Sequence, residues 1–330
     1  MINYLIKYLY YKNHIERLSK FKNLIPKKKF IKNKKKTYLV IKRDRWRGMF
    51  SNVHYAILQK IYAKKMGYIA VIDMKYFPTI YNEKKKIMNT YNSWEYYFKN
   101  FNNLNIDYVY KFCNYKFSDE KSFDTSKIKK IYYNDYKKIL SKIFIKKNIK
   151  NKVDQFVKKK FNKKKILGIH IRGSDQKTAA LHPYPPTLNQ MIKETEKLNN
   201  KYNFDFFFLV TEEQNYYKGF KKHFGSKVIT YDHFRSKDDI FKIYARKNHR
   251  YKLGFETIIN MMLLSKTNYM LHSDSGFSGM ARHFKKNKMR ETIIFNGINS
   301  KNIILSNILW YIKFYLPYKF GGFKNMIINK

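Results

Sequence analysis

Short runs of consecutive apolar residues, most of them ending in polar or charged groups, alternate along the chain with longer stretches of helical periodicity. Five such runs lie in the second half: Ile166–Ile171, Phe206–Val210, Lys227–Tyr231, Asn268–Leu271 and Thr292–Phe295. Continuous apolar runs of this length predict strands buried on both faces, as in a parallel sheet. Between them, Thr187–Leu198, Gln214–His223, Phe255–Ser265 and Gly276–Phe284 read as helices. The alternation predicts an α/β domain built on a doubly wound parallel sheet. Residues 38–74 repeat the pattern on a smaller scale. Tyr38–Lys42 is a strand, and Ser51 is expected to cap a helix running to Lys65, with Val53, Ile57, Ile61 and Tyr62 at helical spacing. Gly67 is expected to stop that helix, and Ile69–Met74 is the next strand. The chain therefore divides into a basic N-terminal segment, 1–36, and two Rossmann-like α/β domains, 37–150 and 151–330, a size usual for domains. A cleft between two such domains suits a nucleotide.

Ligands in open α/β sheets gather just beyond the carboxyl ends of the strands. The run 166–171 ends there in His170, Arg172 and Asp175 around Gly173. A guanidinium at such an edge can hold a diphosphate through two N–H groups, while a glycine allows a turn that a side chain would obstruct. The alternative is an Arg172–Asp175 pair that only closes a loop. The same edge collects Glu212 and Glu213 after the second run and the turn Ser275–Ser278 after the fourth, where a helix opening at Ser275 or Gly276 offers N–H groups to a phosphate. In the first domain the loop Arg45-Trp-Arg-Gly-Met-Phe-Ser-Asn has a single glycine and is not a dinucleotide fingerprint.

These motifs, in this order, resemble the fucosyltransferase superfamily of α-1,6-fucosyltransferases, the rhizobial nodulation fucosyltransferase and protein O-fucosyltransferases. The resemblance covers residues 38–75 and 165–285. It rests on Arg47-Gly48-Met-Phe-Ser51-Asn52, on His170-Ile-Arg172-Gly-Ser-Asp175 with Leu181-His182-Pro183, on Thr211-Glu212-Glu213, and on Leu263-Leu264-Ser265 leading to Ser273–Ser278. It implies a GT-B-like fold, an inverting reaction that needs no metal or other cofactor, and GDP-fucose as donor. It further implies that Arg172 holds the β-phosphate, that His170 lies against the nucleoside, that Ser275, Gly276 and Ser278 contact the diphosphate, and that Gly48 and Asn52 approach it from the other domain. The chain departs from the pattern in two places. Residues 176–180 lack the acid the α-1,6 family carries there, which leaves Asp175, Glu212, Glu213 and Glu95 as candidates for the general base. Asn260 stands where the family has a base-recognising Asp, which opens the donor to another nucleotide sugar.

Composition adds a second theme. Sixty Lys and ten Arg against 23 acidic residues give a formal charge of +47. Lysine mixed with abundant Asn, Ile, Tyr and Phe matches an AT-rich coding sequence, and most of it reads as solvated surface. A basic nucleic-acid-binding protein is the alternative function class, but no helix-turn-helix spacing, zinc finger or aromatic RNP-like pair supports it. The remaining pull of the charge is toward anionic lipid. Met1–Tyr11 and Ile303–Phe323 mix aromatic, aliphatic and Lys residues without reaching ~18 uninterrupted apolar positions, so each suits an interfacial anchor or packing on the body of the protein. No small-residue cleavage site follows Met1–Tyr11. The lone Cys113 excludes an internal disulfide framework, and the nine histidines show no metal-ligand spacing. The expectation is a cytoplasmic glycosyltransferase, peripheral on a membrane, that moves fucose from GDP-fucose to a glycan or glycolipid hydroxyl.

Overall fold

A computed structural model describes residues 22–43, 47–102, 104–119, 133–141, 143, 145–173, 176–236, 240–241, 243–285, 288–323 and 327–329. The segment Met1–Tyr11 and Asp175 lie outside them. The chain forms two compact units, Met1–Lys147 with Arg246–Phe255, and Asn148–Ala245 with Glu256–Lys330.

The first unit holds a three-stranded parallel sheet of β1 (Asn33–Ile41), β2 (Ile69–Ile72) and β3 (Cys113–Phe117), in the order β2-β1-β3. Helix α1 (Met49–Lys65) connects β1 to β2 and buries Val53, Ile57 and Ile61, as their spacing requires. Gly48, not Ser51, is its N-cap; the Ser51 hydroxyl instead accepts from Arg43 Nη2 at 3.0 Å. Gly67, at φ +66°, follows the C-cap in the left-handed conformation that ends a helix without strain. β3 escapes the sequence pattern because it is a half-exposed edge strand that follows helix α2 (Ile106–Phe112) with no turn residue between.

Asp73, immediately after β2, fastens this unit. Its carboxylate accepts from the Tyr110 hydroxyl at 2.6 Å and from the backbone N–H groups of Lys75 and Tyr76 at 2.9 Å. Burial pushes the carboxyl up to about 6, while these donors and Lys75 pull the other way. Residues 246–255 complete the unit: Tyr251 stacks on Tyr97 at 5.7 Å, its carbonyl accepts from the Tyr97 hydroxyl, and its N–H donates to Glu83. Gly254 makes this approach feasible, since a Cβ there would run into the Tyr97 ring.

The second unit holds a six-stranded sheet in the order β6-β5-β4-β7-β8-β9. β4 (Ile166–Ile171), β5 (Phe206–Thr211), β6 (Val228–Ile229), β7 (Tyr269–Ser273) and β8 (Arg290–Ile294) run parallel, and β9 (Ile327–Asn329) pairs antiparallel with β8. All five expected strands are present; the run expected over Lys227–Tyr231 shortens to two residues because it pairs only with β5. The chain adds strands first to one side of β4 and then to the other, so the order reverses between β4 and β7. Among the helices, α5 (Leu188–Tyr202) opens with a capping box of Thr187 and Gln190. Helix α7 (His249–Leu264) starts six residues earlier than its periodicity suggested, because its first turns belong to the first unit. In the first turn of α7 the Arg250 guanidinium donates to the Ile80 carbonyl at 2.9 Å.

Gly168, in the middle of β4, is where the strand and the end of α7 meet. A Cβ there would stand 2.6 Å from Leu264 Cδ1 and from Thr267 Oγ1. Gly168→Ala is therefore expected to lower stability by about 1–3 kcal/mol through overpacking, to be read from the urea unfolding midpoint.

Candidate active site

The carboxyl end of β4 carries the site. Every residue of β4 is buried, and its register with β7 sets His170 beside His272. His170 stacks on Phe277, the second residue of helix α8 (Gly276–Phe284), with ring centroids 4.3 Å apart and 12° between planes. Its Nδ1 is buried with no hydrogen-bond partner among the described residues, as is the hydroxyl of Ser273 at the end of β7. Buried polar atoms left in this state are costly unless a ligand or water completes them. Arg172 follows at the strand end and is half-buried.

Ser275 caps α8, its hydroxyl accepting from the Ser278 N–H at 3.3 Å. The Ser278 hydroxyl, fully buried, donates to the Ser273 and Ser275 carbonyls and so ties the turn to the end of β7. Gly276 opens the helix, and a Cβ there would meet nothing within 4 Å; the chain's own packing does not demand a glycine. Behind the turn, Glu291 accepts from Arg282 at 2.9 Å and lies 3.0 Å from His272. Burial opposes the charge on Glu291, but these two partners outweigh it and hold its carboxyl below the usual range.

Gly173 has a role other than the turn conformation expected of it. Its φ is not in the left-handed region; rather, the Glu213 carboxylate packs where a Cβ would be. Glu213 is buried and paired with Lys177 Nζ at 2.8 and 3.1 Å. Glu212, the preceding residue, is half-exposed, and its N-terminal neighbour Thr211 accepts from the Glu213 N–H. Asn260 is buried on α7, and its Oδ1 has no partner among the described residues. β4 and β7 thus bring His170, Arg172, Ser275 and Ser278 to one edge, with Glu212 and Glu213 at the end of the adjoining β5.

Gly48, Asn52 and Glu95 belong to the first unit. Asn52 donates to the Arg47 carbonyl at 3.2 Å and keeps a buried Oδ1 without a partner among the described residues. No atom lies within 4 Å of a Cβ built on Gly48. Glu95 is engaged locally, accepting from Thr90 Oγ1 at 2.6 Å and Asn100 Nδ2 at 3.0 Å. Sequence reasoning did not assign roles to His272, Phe277, Lys177 or the Arg282–Glu291 pair. The two strand-end histidines were visible, but no local spacing announces a stack or an ion pair between distant segments.

Burial, followed by the charges of His272 and Arg172, holds the His170 ring well below its usual range, so the ring is neutral at neutral pH. An unfolded histidine takes up a proton near pH 6.5. The folded ring resists that proton, so the stability it contributes is present above that pH and is lost as the pH falls below it. His170→Phe is expected to make the decline of unfolding free energy between about pH 6.5 and 5 shallower, measured by denaturant titration at each pH.

The fold built around this edge is found among solved structures. The chain is 16% identical to NodZ α-1,6-fucosyltransferase soaked with GDP-fucose, with 78% of this chain and 94% of that chain covered and a TM-score of 0.52. NodZ co-crystallised with GDP and the Se-Met NodZ from Bradyrhizobium each give a TM-score of 0.54 at the same identity and coverage. No protein-family model and no curated protein sequence matches the chain. At this identity the likeness is one of fold, and the chain shares the fold of NodZ.

Proposed function

We propose that the protein is an inverting glycosyltransferase that moves fucose from GDP-fucose to a hydroxyl of a glycan or glycolipid, without a metal. The observation that carries this reading is that Arg172, at the end of β4, and the Ser275-capped start of α8, after the neighbouring β7, share the edge where the strand order reverses. It is supported by the shared fold of NodZ, a structure of which was soaked with GDP-fucose.

In this reading the second unit binds the donor and the first faces the acceptor. Arg172 and the first turn of α8 hold the diphosphate, and His170 on Phe277 lines the nucleoside. As the bond from the sugar C1 to the β-phosphate oxygen breaks, negative charge collects on the departing GDP. Fixed N–H donors aimed there stabilise the transition state more than the ground state. The acceptor oxygen attacks C1 from the opposite face, and its proton passes to a carboxylate. Asp175 and Glu212 are the candidates in the second unit and Glu95 in the first; Glu95 would first have to release its Thr90 and Asn100 donors. Glu213, neutralised by Lys177 and packed on Gly173, suits shaping of the donor side better than proton transfer. Asn260, with a buried carbonyl oxygen open to an N–H, can accept one bond from a guanine edge where a carboxylate would accept two.

GDP release from GDP-fucose, compared with GDP-mannose, UDP-glucose and UDP-N-acetylglucosamine, tests the reading. Arg172→Ala is expected to cut turnover by about 10²–10³-fold with the fold intact. Turnover of a different donor would keep the site and reject fucose, and no turnover or binding of any nucleotide sugar would sink the proposal. Asn260→Asp is expected to tighten GDP binding by about 1–2 kcal/mol relative to UDP, read by calorimetric titration of both nucleotides.

A further inference from the structure

The C-terminal part of the second unit is built inside out. Its helices, Ile303–Ser306 and α9 (Leu309–Tyr315), are held to the loop after β4 by polar groups. Asn299 Nδ2 donates to the Ser306 carbonyl at 3.0 Å, the Ser306 hydroxyl to the Thr178 carbonyl at 3.2 Å, and Trp310 Nε1 to the Pro185 carbonyl at 3.0 Å. Asn299 and Ser306 are buried, while Ile304 is 72% exposed, Tyr315 80% and Phe320 73%. A helical segment of a water-soluble domain ordinarily buries its apolar side and exposes its polar one. Here more than half of all large hydrophobic side chains exposed among the described residues fall between Ile303 and Phe320. Leu181 and Ile298 extend the patch, since the Leu181 N–H donates to the Ser300 carbonyl and Pro183 pairs with Ile298. A contiguous apolar surface of this kind marks an interaction site.

We propose that residues 298–320 form a face that docks onto an anionic lipid surface. Charge selects that occupant. Lys301, Lys313 and Lys319 lie along the segment, and no acidic residue occurs anywhere between Glu291 and Lys330. A second copy of the chain would bring like charges together, whereas anionic headgroups neutralise them. The aromatic, isoleucine and lysine mixture suits the interfacial layer. Helices of four and seven residues, the second followed by Pro317, are too short to cross a bilayer, and no described helix is long and apolar enough to do so. The face also connects to the strand edge: Lys177, paired with Glu213, lies 4.8 Å from the centroid of the Trp310 ring on the inner side of α9. Docking here is independent of the transferase reading and does not require its donor.

Flotation of the full chain tests the proposal, using phosphatidylcholine vesicles and vesicles of phosphatidylcholine and phosphatidylglycerol in equal parts. The parent protein is expected to float with the mixed vesicles and not with pure phosphatidylcholine. A triple variant, Ile304→Ser, Tyr315→Ser and Phe320→Ser, is expected to bind about tenfold more weakly or less, with an unchanged melting temperature. Should the triple variant fail to fold, Tyr315→Trp in the otherwise unaltered chain reports through the difference between its emission and that of the parent with its three Trp residues, and a blue shift of that difference is expected on mixed vesicles. Equal flotation of parent and variant, no flotation of the parent, an unshifted Tyr315→Trp emission, or a dimer in sedimentation that the triple variant abolishes would each overturn it.

Discussion

The second unit depends on one constraint, the complete enclosure of β4. Flanked by β5 and β7 and buried along its whole length, this strand can carry nothing that needs water until it ends. Its polar content is therefore forced to the carboxyl end, where Arg172 is the first side chain to reach a half-exposed position. The strands on both sides obey the same rule, so their own polar ends arrive at the same edge. Enclosure also dictates the glycine in mid-strand: with α7 packed this closely, Gly168 admits Leu264 and Thr267 where any larger residue would displace them.

The first unit shows the same principle with the charge turned inward. β2 ends in Asp73, but that carboxylate is consumed by Tyr110 and by the chain's own turn. A strand-end acid here fixes a fold, whereas the strand-end guanidinium of the other unit stands half-buried at the polar edge.

The parallel strands, their helices and the polar edge were legible from the apolar runs, because burial on both faces leaves an unbroken signature in sequence. Gly276–Phe284 appears with the boundaries its pattern suggested, and Gly67 stops α1 as its position implied. What failed to show were features set by tertiary partners. β3 lacks a buried run because only its first residue is buried. The cap of α1 fell on Gly48 because Ser51 is engaged by Arg43. The start of α7 was hidden because Tyr251 and its neighbours pack against Tyr97 and Glu83, far away in sequence. At the site, His170 and Arg172 stood out by residue type and place, while the Phe277 stack and the Lys177–Glu213 pair emerge only when loops from separate strands meet.

The contribution of residues 246–255 to the first unit bears on how the chain is made. Synthesis proceeds from the N-terminus, and domains tend to fold as they emerge from the ribosome. Here the first unit has all of its sheet by Phe117, yet Tyr97 and Glu83 receive their partners only when Tyr251 is translated. In the interval, β4, β5 and β6 of the second unit have already been synthesised. Aromatic surface around Tyr97 must therefore wait uncovered while a second sheet begins to assemble, which places the late closure of the first unit, rather than its early strands, at the stage where nascent chains are most exposed to misassembly.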